Sequence, residues 1–506
     1  MKRLEPTAIG LLALLACSAA PGADEPAPPP LQIEEVPSPA AHTAQFPVLA
    51  AAPDGTVWMV WAEPDSPVSA RWALRCCEFD VSIGRWRSAH SIASSRMLDP
   101  AGGLPSVAAC GNGQMWVSWP EAVAGTDASR SFFCSSTDGG DTWTEPSPVS
   151  RKGGDAAFPG LAALADGRIL AAWIDRGGRS SPGAGAGVYL RFLTGPLTAA
   201  PDWLLDGRAD PEGQPNLVPL LDGGAILAYR GISDTGALDP RIARLHGRKW
   251  EDRHLISADG WNGAGAGGPR IAADGGRLVT VWRTANTADP HILVSTSPDA
   301  GGRFLTPLQV NAGNPAGLPA AALLHDGAAL IAWSESPSGG PAGAWVRRLA
   351  PENSLDAPFF LGLASSQYAA PQIVIVHDYA GDVFSAQAIV AYGSPGGSAG
   401  LRTVLLNVPE ADLLSVANAA CHCAPTPMQL IGYALLGTVV SVGPGRASVV
   451  IESDAVPGVL DSGRHDFAVD PQLGTLLQPG RECLAHIVRK DGGWRLYDAR
   501  LLEPAR

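Results

Sequence analysis

Seven charged side chains recur just beyond apolar runs that close on Trp or Tyr: Glu63, Glu121, Asp175 with Arg176, Arg230, Arg283 and Glu335. A guanidinium can grip an oxyanion through two parallel N–H···O bonds, and neighbouring carboxylates can accept hydroxyls, so the set suits an anionic or polyhydroxylated ligand. The same residues could equally pair with one another on solvated loops. A second constellation carries soft donors: Cys421-His422-Cys423, with Met428, His465, Cys483 and His486 nearby in sequence. Thiolate and imidazole suit a soft metal ion if the chain brings them together. The alternative is covalent, with Cys421 or Cys423 bridged to Cys483, and Cys110 with Cys134 forms a second candidate disulfide.

Composition restricts what can position these groups. The 506 residues include 36 basic and 49 acidic side chains, for a formal charge of −13. Nucleic acid is thereby excluded as the expected partner, since phosphate binding needs clustered Lys and Arg. The 59 Gly and 45 Pro, beside 46% hydrophobic residues, exclude both a helical bundle and a disordered chain. No apolar run beyond the first 20 residues is long enough to span a bilayer.

The N-terminus reads as an address. Lys2 and Arg3 precede the apolar stretch Ala8 to Ala16, and Leu14-Leu15-Ala16-Cys17 closes it. This resembles the lipobox of bacterial lipoproteins and implies a signal peptide over 1–16, lipidation of Cys17 and a membrane anchor. Ser18 after the cysteine implies an outer-membrane protein facing the periplasm. An ordinary secretory signal is the alternative, and either takes the chain out of the cytoplasm. Residues 17–40, rich in Ala and Pro, read as a tether.

One pattern then recurs seven times: Pro, an apolar stretch, a turn usually containing Gly, and a second apolar stretch that ends on an aromatic residue. The prolines are Pro47, Pro105, Pro159, Pro215, Pro269, Pro319 and Pro371, spaced by 50 to 58 residues. Asp-Gly between apolar runs supplies the positive φ angles that a hairpin turn needs. Each unit has room for two further strands, and a four-stranded sheet cannot cover both its faces alone. Radial stacking solves this, so an all-β propeller of seven blades is predicted over residues 41–412, with six blades as the alternative.

Two copies carry a sharper signature. Ser136, Asp138, Gly140 and Trp143 form one Ser-x-Asp-x-Gly-x-Thr-Trp turn, and Ser297, Asp299, Gly301 and Phe304 a second. These turns resemble the Asp-box of sialidase-type propellers, and Trp86 and Trp250 end weaker echoes. The order of Tyr229-Arg230-Gly231, Asp259-Gly260-Trp261, Gly268-Pro269 and Trp282-Arg283-Thr284 is similar to that of bacterial secreted sialidase-like proteins. The resemblance implies a hydrolase alternative in which Arg230 and Arg283 hold a substrate carboxylate and one of Asp175, Glu63 or Glu335 serves as acid/base. Sialidases also use an Arg in an Arg-Ile-Pro motif and a Tyr nucleophile paired with Glu. Here the corresponding stretch is Gln45-Phe46-Pro47-Val48, and no Tyr can be matched to the nucleophile.

Beyond a linker over 413–430, residues 431–506 show five short apolar runs separated by Gly and Pro turns, which suits a small OB-type barrel. Gly437-x-Val439, Val456-Pro457-Gly458, Phe467-x-Val469 and Leu477-x-Pro479-Gly480 resemble periplasmic copper-binding domains of the CusF type. That family binds copper through a His, two Met and a Trp. Alignment on the Pro-Gly places Ser453 at the His, Val459 near the Trp, and Gly463 and His465 at the two Met. Of these only His465 can still ligate, which implies a shell that has lost its metal.

The sequence thus points to a cell-envelope lipoprotein acting as a non-catalytic ligand-binding or assembly module, with a glycan or protein ligand and a link to metal handling. A sialidase-type glycoside hydrolase and a periplasmic copper-binding protein are the alternatives, the latter with copper on Cys421, His422, Cys423 and His465.

Overall fold

The computed structural model describes residues 31–66, 71–111, 113–150, 154–177, 185–193, 202–220, 222–236, 238–246, 249–256, 268–274, 276–284, 290–324, 327–336, 342–365, 370–377, 386–394, 400–408, 433–453, 460–469, 474–475, 477–490 and 493–501. Cys17, the signal segment, Trp261, Val459 and the Cys421-His422-Cys423 cluster lie outside these.

Every predicted hairpin is a pair of antiparallel strands. The seven innermost strands are Gln45–Ala51, Ser106–Gly111, Ala156–Ala163, Asn216–Pro219, Arg270–Asp274, Asn314–Leu323 and Gln372–His377, and they define blades one to seven. Each pairs with the strand after it, which pairs with a third, and a fourth closes the sheet. Blades two and three are joined into one larger sheet by a single parallel bridge, Ala156 with Arg130. The inner strands contact their neighbours in cyclic order, and the first also touches the seventh. The described strands therefore build a ring of seven sheets, a β-propeller.

Seven apolar clusters lie between successive blades and hold the ring together. The second strands are buried on both faces, as in Val57–Ala62 and Ile169–Ile174. Each closing aromatic packs towards the preceding blade: Trp61 joins the cluster with blade seven, Trp119 that with blade one, and Trp173 that with blade two. Tyr229, Trp282, Trp333 and Tyr392 continue the rule around the ring. The inner strands of blades one, three and six break register at their prolines, between Gln45 and Val48, Ala157 and Gly160, and Ala316 and Ala320. Proline has no N–H for the ladder, so a bulge forms there.

Part of the segment expected to be tether is structural. Gln32–Val36 pairs antiparallel with Leu401–Val408 and is the outermost strand of blade seven. Val36 is buried between blades seven and one, and Thr403 donates its hydroxyl to the Val36 carbonyl at 2.8 Å. Both ends of the propeller chain thus share one sheet, and this closes the ring.

The Asp-box turns are local hydrogen-bond knots. The Asp138 carboxylate accepts from Ser136 Oγ at 2.8 Å, from the Thr142 backbone N–H at 3.0 Å and from the Thr142 hydroxyl, while Trp143 Nε1 donates to the Gly140 carbonyl. Gly139 and Gly140 take positive φ, the conformation glycine permits. The Ser297–Asp299–Arg303 turn repeats the pattern, and Phe304 packs between blades four and five. In both blades the knot also bonds the hairpin turn, through Gly139 N–H to Gly113 and Ala300 N–H to Gly276. These turns therefore mark one end of the propeller, and the charged residues beyond the closing aromatics lie at the other.

The five C-terminal strands, Tyr433–Val442, Ser448–Ser453, Gly463–Val469, Glu482–Lys490 and Gly493–Leu501, close a barrel in the order first, second, third, fifth, fourth, with the third and fifth parallel. This is the OB arrangement, around a core that includes Val439, Ile451, Phe467 and Cys483.

The expected Cys110–Cys134 disulfide is not formed; both thiols are free, as are those of Cys76, Cys77 and Cys483. The second strand of blade two separates the pair, and Cys134 faces blade one while Cys110 faces blade three. Two strands' separation exceeds the reach of an S–S bond. Burial pushes the Cys76 thiol up to about 12.

The Asp-box makes a pH prediction. The Thr142 hydroxyl and backbone bonds hold the Asp138 carboxyl down at about 2. Its contribution to stability is complete above the usual carboxylate range, near pH ~3.9, and is lost as pH falls towards 2. The gap in melting temperature between wild type and Asp138→Asn should be constant above pH ~5 and shrink across that window; a gap independent of pH would refute the assignment.

Candidate functional site

Most of the charged residues beyond the closing aromatics are engaged by neighbouring groups of the protein. Three follow one local rule, Trp-x-Glu: successive side chains alternate across a strand, so the carboxylate lies on the same face as the indole two residues before it. Trp61 Nε1 donates to Glu63 at 2.8 Å, Trp119 Nε1 to Glu121 at 2.6 Å and Trp333 Nε1 to Glu335 at 3.0 Å. Glu63 also accepts the Ala41 N–H and faces Arg75 at 3.4 Å, and Glu121 pairs with Arg96 at 2.6 Å. Glu335 is buried and accepts the Gly313 N–H at 3.1 Å. Asp175 accepts the Gly177 N–H at 2.9 Å and makes no bond to Trp173 Nε1, which has no partner among the described residues.

The arginines divide into two kinds. Arg176 is buried against Asp155 at 2.5 Å and Ser129 Oγ at 2.7 Å, with its guanidinium near the Phe158 ring. Arg230 is buried in an ion pair with Asp210, and desolvation draws its pKa down to about 10. In this structure both guanidinia are engaged by carboxylates of the protein. Arg283 is half-buried and pairs with no carboxylate among the described residues; burial lowers its pKa. Of the two expected clamp residues it is the one without an ion-pair partner among the described residues.

The tyrosines fare alike. Tyr229 is fully buried and donates to Asp206 at 3.0 Å, and Arg241 reaches the same carboxylate at 3.1 Å. Tyr392 donates to the Leu361 carbonyl, and its own burial raises its pKa. Neither is presented as a nucleophile. Asp155, Asp206 and Asp210 went unmarked in sequence because they lie outside the repeat's apolar template, and only the assembled ring places them beside their arginines.

A cavity of about 160 Å³ lies on the propeller axis, lined by residues in or next to the inner strands of six blades, among them Ser106, Gln214, Asn216, Arg270 and Gln372. Neighbouring inner strands approach so closely here that a Cβ at Gly160 would lie 2.9 Å from the Pro215 carbonyl oxygen, and one at Gly268 2.5 Å from that of Gln214. The Gln214 amide crosses between blades, accepting from the Leu104 N–H and donating to the Leu104 and Pro159 carbonyls. Arg270 and Gln214 carried no motif; their one sequence signal is their place beside the repeat prolines.

In the barrel, Ser453 and Gly463 are paired across two strands and supply no soft donor. His465 places Nε2 2.7 Å from the Asp461 carbonyl, so that nitrogen must carry the proton and donate. Among the described residues no group of three or more His, Cys, Asp or Glu could hold a metal ion. These residues do not fit the copper shell of the CusF type.

The class defined by this architecture is an Asp-box β-propeller followed in the chain by an OB-type barrel. No protein-family model matches the chain, and no curated protein matches it. Among solved structures it is similar to a protein of unknown function from Dyadobacter fermentans, at 16% identity over 75% of this chain and 99% of that one, with a TM-score of 0.43. It is also similar to the BP39L lectin of Burkholderia pseudomallei, at 14% identity over 73% and 99%, with a TM-score of 0.45. A Hadza microbial sialidase shares 13% identity over 69% and 75%, with a TM-score of 0.40. The fold rests on the strand pairing described above.

Removing one partner of a buried ion pair strands the other charge. Asp155→Ala should destabilise the protein by about 3–5 kcal/mol, whereas Asp155→Leu combined with Arg176→Met should recover most of the loss. Urea denaturation measures both, and a cost for the single variant under ~1 kcal/mol would show the pair to be a surface contact.

Proposed function

We propose that the chain is a non-catalytic ligand-binding module of the bacterial cell envelope, anchored through a lipidated Cys17. One observation supports the binding reading: at the propeller end away from the Asp-boxes, Arg176, Arg230 and Tyr229 are engaged by carboxylates, while the half-buried Arg283 has no ion-pair partner among the described residues. A cation without a carboxylate partner favours an acidic glycan over a neutral one. The anchor reading comes from the Leu-Leu-Ala-Cys segment alone. The barrel we read as a CusF-like shell without the family's metal, and any copper would have to sit on Cys421, His422 and Cys423.

The test has three parts. On a glycan array the purified protein should retain carboxylated glycans, and Arg283→Met should weaken retention about tenfold, as loss of a charge-assisted bond of ~1.5 kcal/mol implies. A fluorogenic sialoside should not turn over; turnover abolished by Arg230→Ala would establish the hydrolase instead. Detergent phase partition should hold the wild type and release Cys17→Ser, and a soluble wild type would refute the anchor. Copper uptake lost in a Cys421→Ser/Cys423→Ser variant, and unchanged in His465→Ala, would locate a substitute metal site.

A further inference from the structure

The axial cavity holds an electrostatic imbalance. Among the described residues its lining includes no carboxylate and one formal charge, the guanidinium of Arg270. Among the described residues Arg270 has no ion-pair or hydrogen-bond partner, unlike Arg176 and Arg230. It is half-buried and lines this space, and burial lowers its pKa to about 10, so it stays charged at neutral pH. A buried charge without compensation is costly and is normally paired or hydrogen-bonded.

Two groups on the wall beside it have spent an acceptor and kept donors, whereas Gln372 spends its Nε2 on the Ala370 and Pro371 carbonyls and keeps Oε1 as an acceptor. Asn216 Oδ1 accepts the Ile271 N–H at 2.7 Å, which leaves its Nδ2 hydrogens free. Ser106 Oγ accepts the Leu161 N–H at 2.9 Å, which leaves its hydroxyl hydrogen to donate. Both ends of the Gln214 amide are occupied. A cation and two neutral donors, with the Gln372 Oε1 acceptor on the seventh blade, surround a space that fits a few heavy atoms and some water, too small for a sugar chain.

We infer that the axial channel is an anion site, in which a small oxyanion, a carboxylate foremost, sits on the Arg270 guanidinium with Asn216 Nδ2 and Ser106 Oγ as further donors. The inference goes beyond the glycan reading, since it requires only inner-strand residues and not Arg283. A carboxylate matches the planar fork of the guanidinium through two parallel bonds.

The experiment uses the full chain in chloride-free buffer of low ionic strength, with melting temperature and calorimetric titration read against sodium acetate, sodium sulfate and neutral acetamide. Acetate should raise the melting temperature saturably and acetamide should not; sulfate acting more strongly than acetate would overturn the preference for a carboxylate. Arg270→Met should abolish the saturable response while melting at or above the wild type without anion, because it removes an uncompensated charge. Arg270→Lys should weaken binding at least tenfold, and Arg283→Met should respond as wild type. The inference fails if the wild type shows no saturable response, if Arg270→Met responds like it, or if both Arg270 variants melt well below it without anion, which would make Arg270 a structural group. A failed glycan array beside an intact acetate response would remove the rim reading and leave the channel site standing.

Discussion

Apolar contact between neighbouring sheets is the interaction from which the rest of this structure follows. Each blade buries both faces of its second strand, and each closing aromatic fills the gap to the blade before it. Burying one side chain of Val or Leu size is worth about 1.5–3 kcal/mol, whereas an exposed ion pair such as Arg402 with Glu35 is worth ~1 kcal/mol at most. The ring is therefore selected by area, and its charges adapt to it. A blade missing from the circle would leave two such faces in water, which is why Gln32–Val36 returns to complete the sheet that the C-terminal repeat begins.

Radial packing also decides what the polar residues can do. Around the axis the inner strands converge until carbonyls and glycines nearly touch, whereas the second strands diverge towards the rim. Charges at the rim ends of the second strands meet partners from the loop that enters their own blade or from the blade before it. Arg176 with Asp155 and Arg230 with Asp210 pair with the segment entering their own blades, while Tyr229 and Arg241 cross to Asp206 of the preceding blade. Arg270 stands apart because it lines a space that the convergence leaves unfilled and has no ion-pair partner among the described residues.

The barrel shows the same separation of scaffold from chemistry. Its strand order is that of an OB barrel, yet the positions where the copper-binding family carries its donors hold Ser453, Gly463 and a His465 already bonded to a carbonyl. The thiols behave likewise. Cys76, Cys110, Cys134 and Cys483 sit in apolar surroundings that raise their pKa values and keep them unreactive, as small hydrophobic side chains.

Much of the fold was legible from the chain alone, because its determinants are local and periodic. Pro, Asp-Gly and a closing aromatic repeat at near-constant spacing, and the Asp-box knots bond within eight residues of themselves. Trp-x-Glu is local too, and the alternation of a strand would have placed its carboxylates on their indoles. The sequence by itself determined the hairpins, their number in the repeat and the residues that fill the gaps between blades. Tertiary structure alone decided which charges meet: Asp155, Asp206 and Asp210 lie 20 to 35 residues from the arginines or tyrosine they bind, and the Arg270 cavity takes its walls from six blades. Apolar burial is additive and can be read residue by residue, whereas a charge takes its role from the partner that folding brings to it, and no spacing in the chain encodes that meeting.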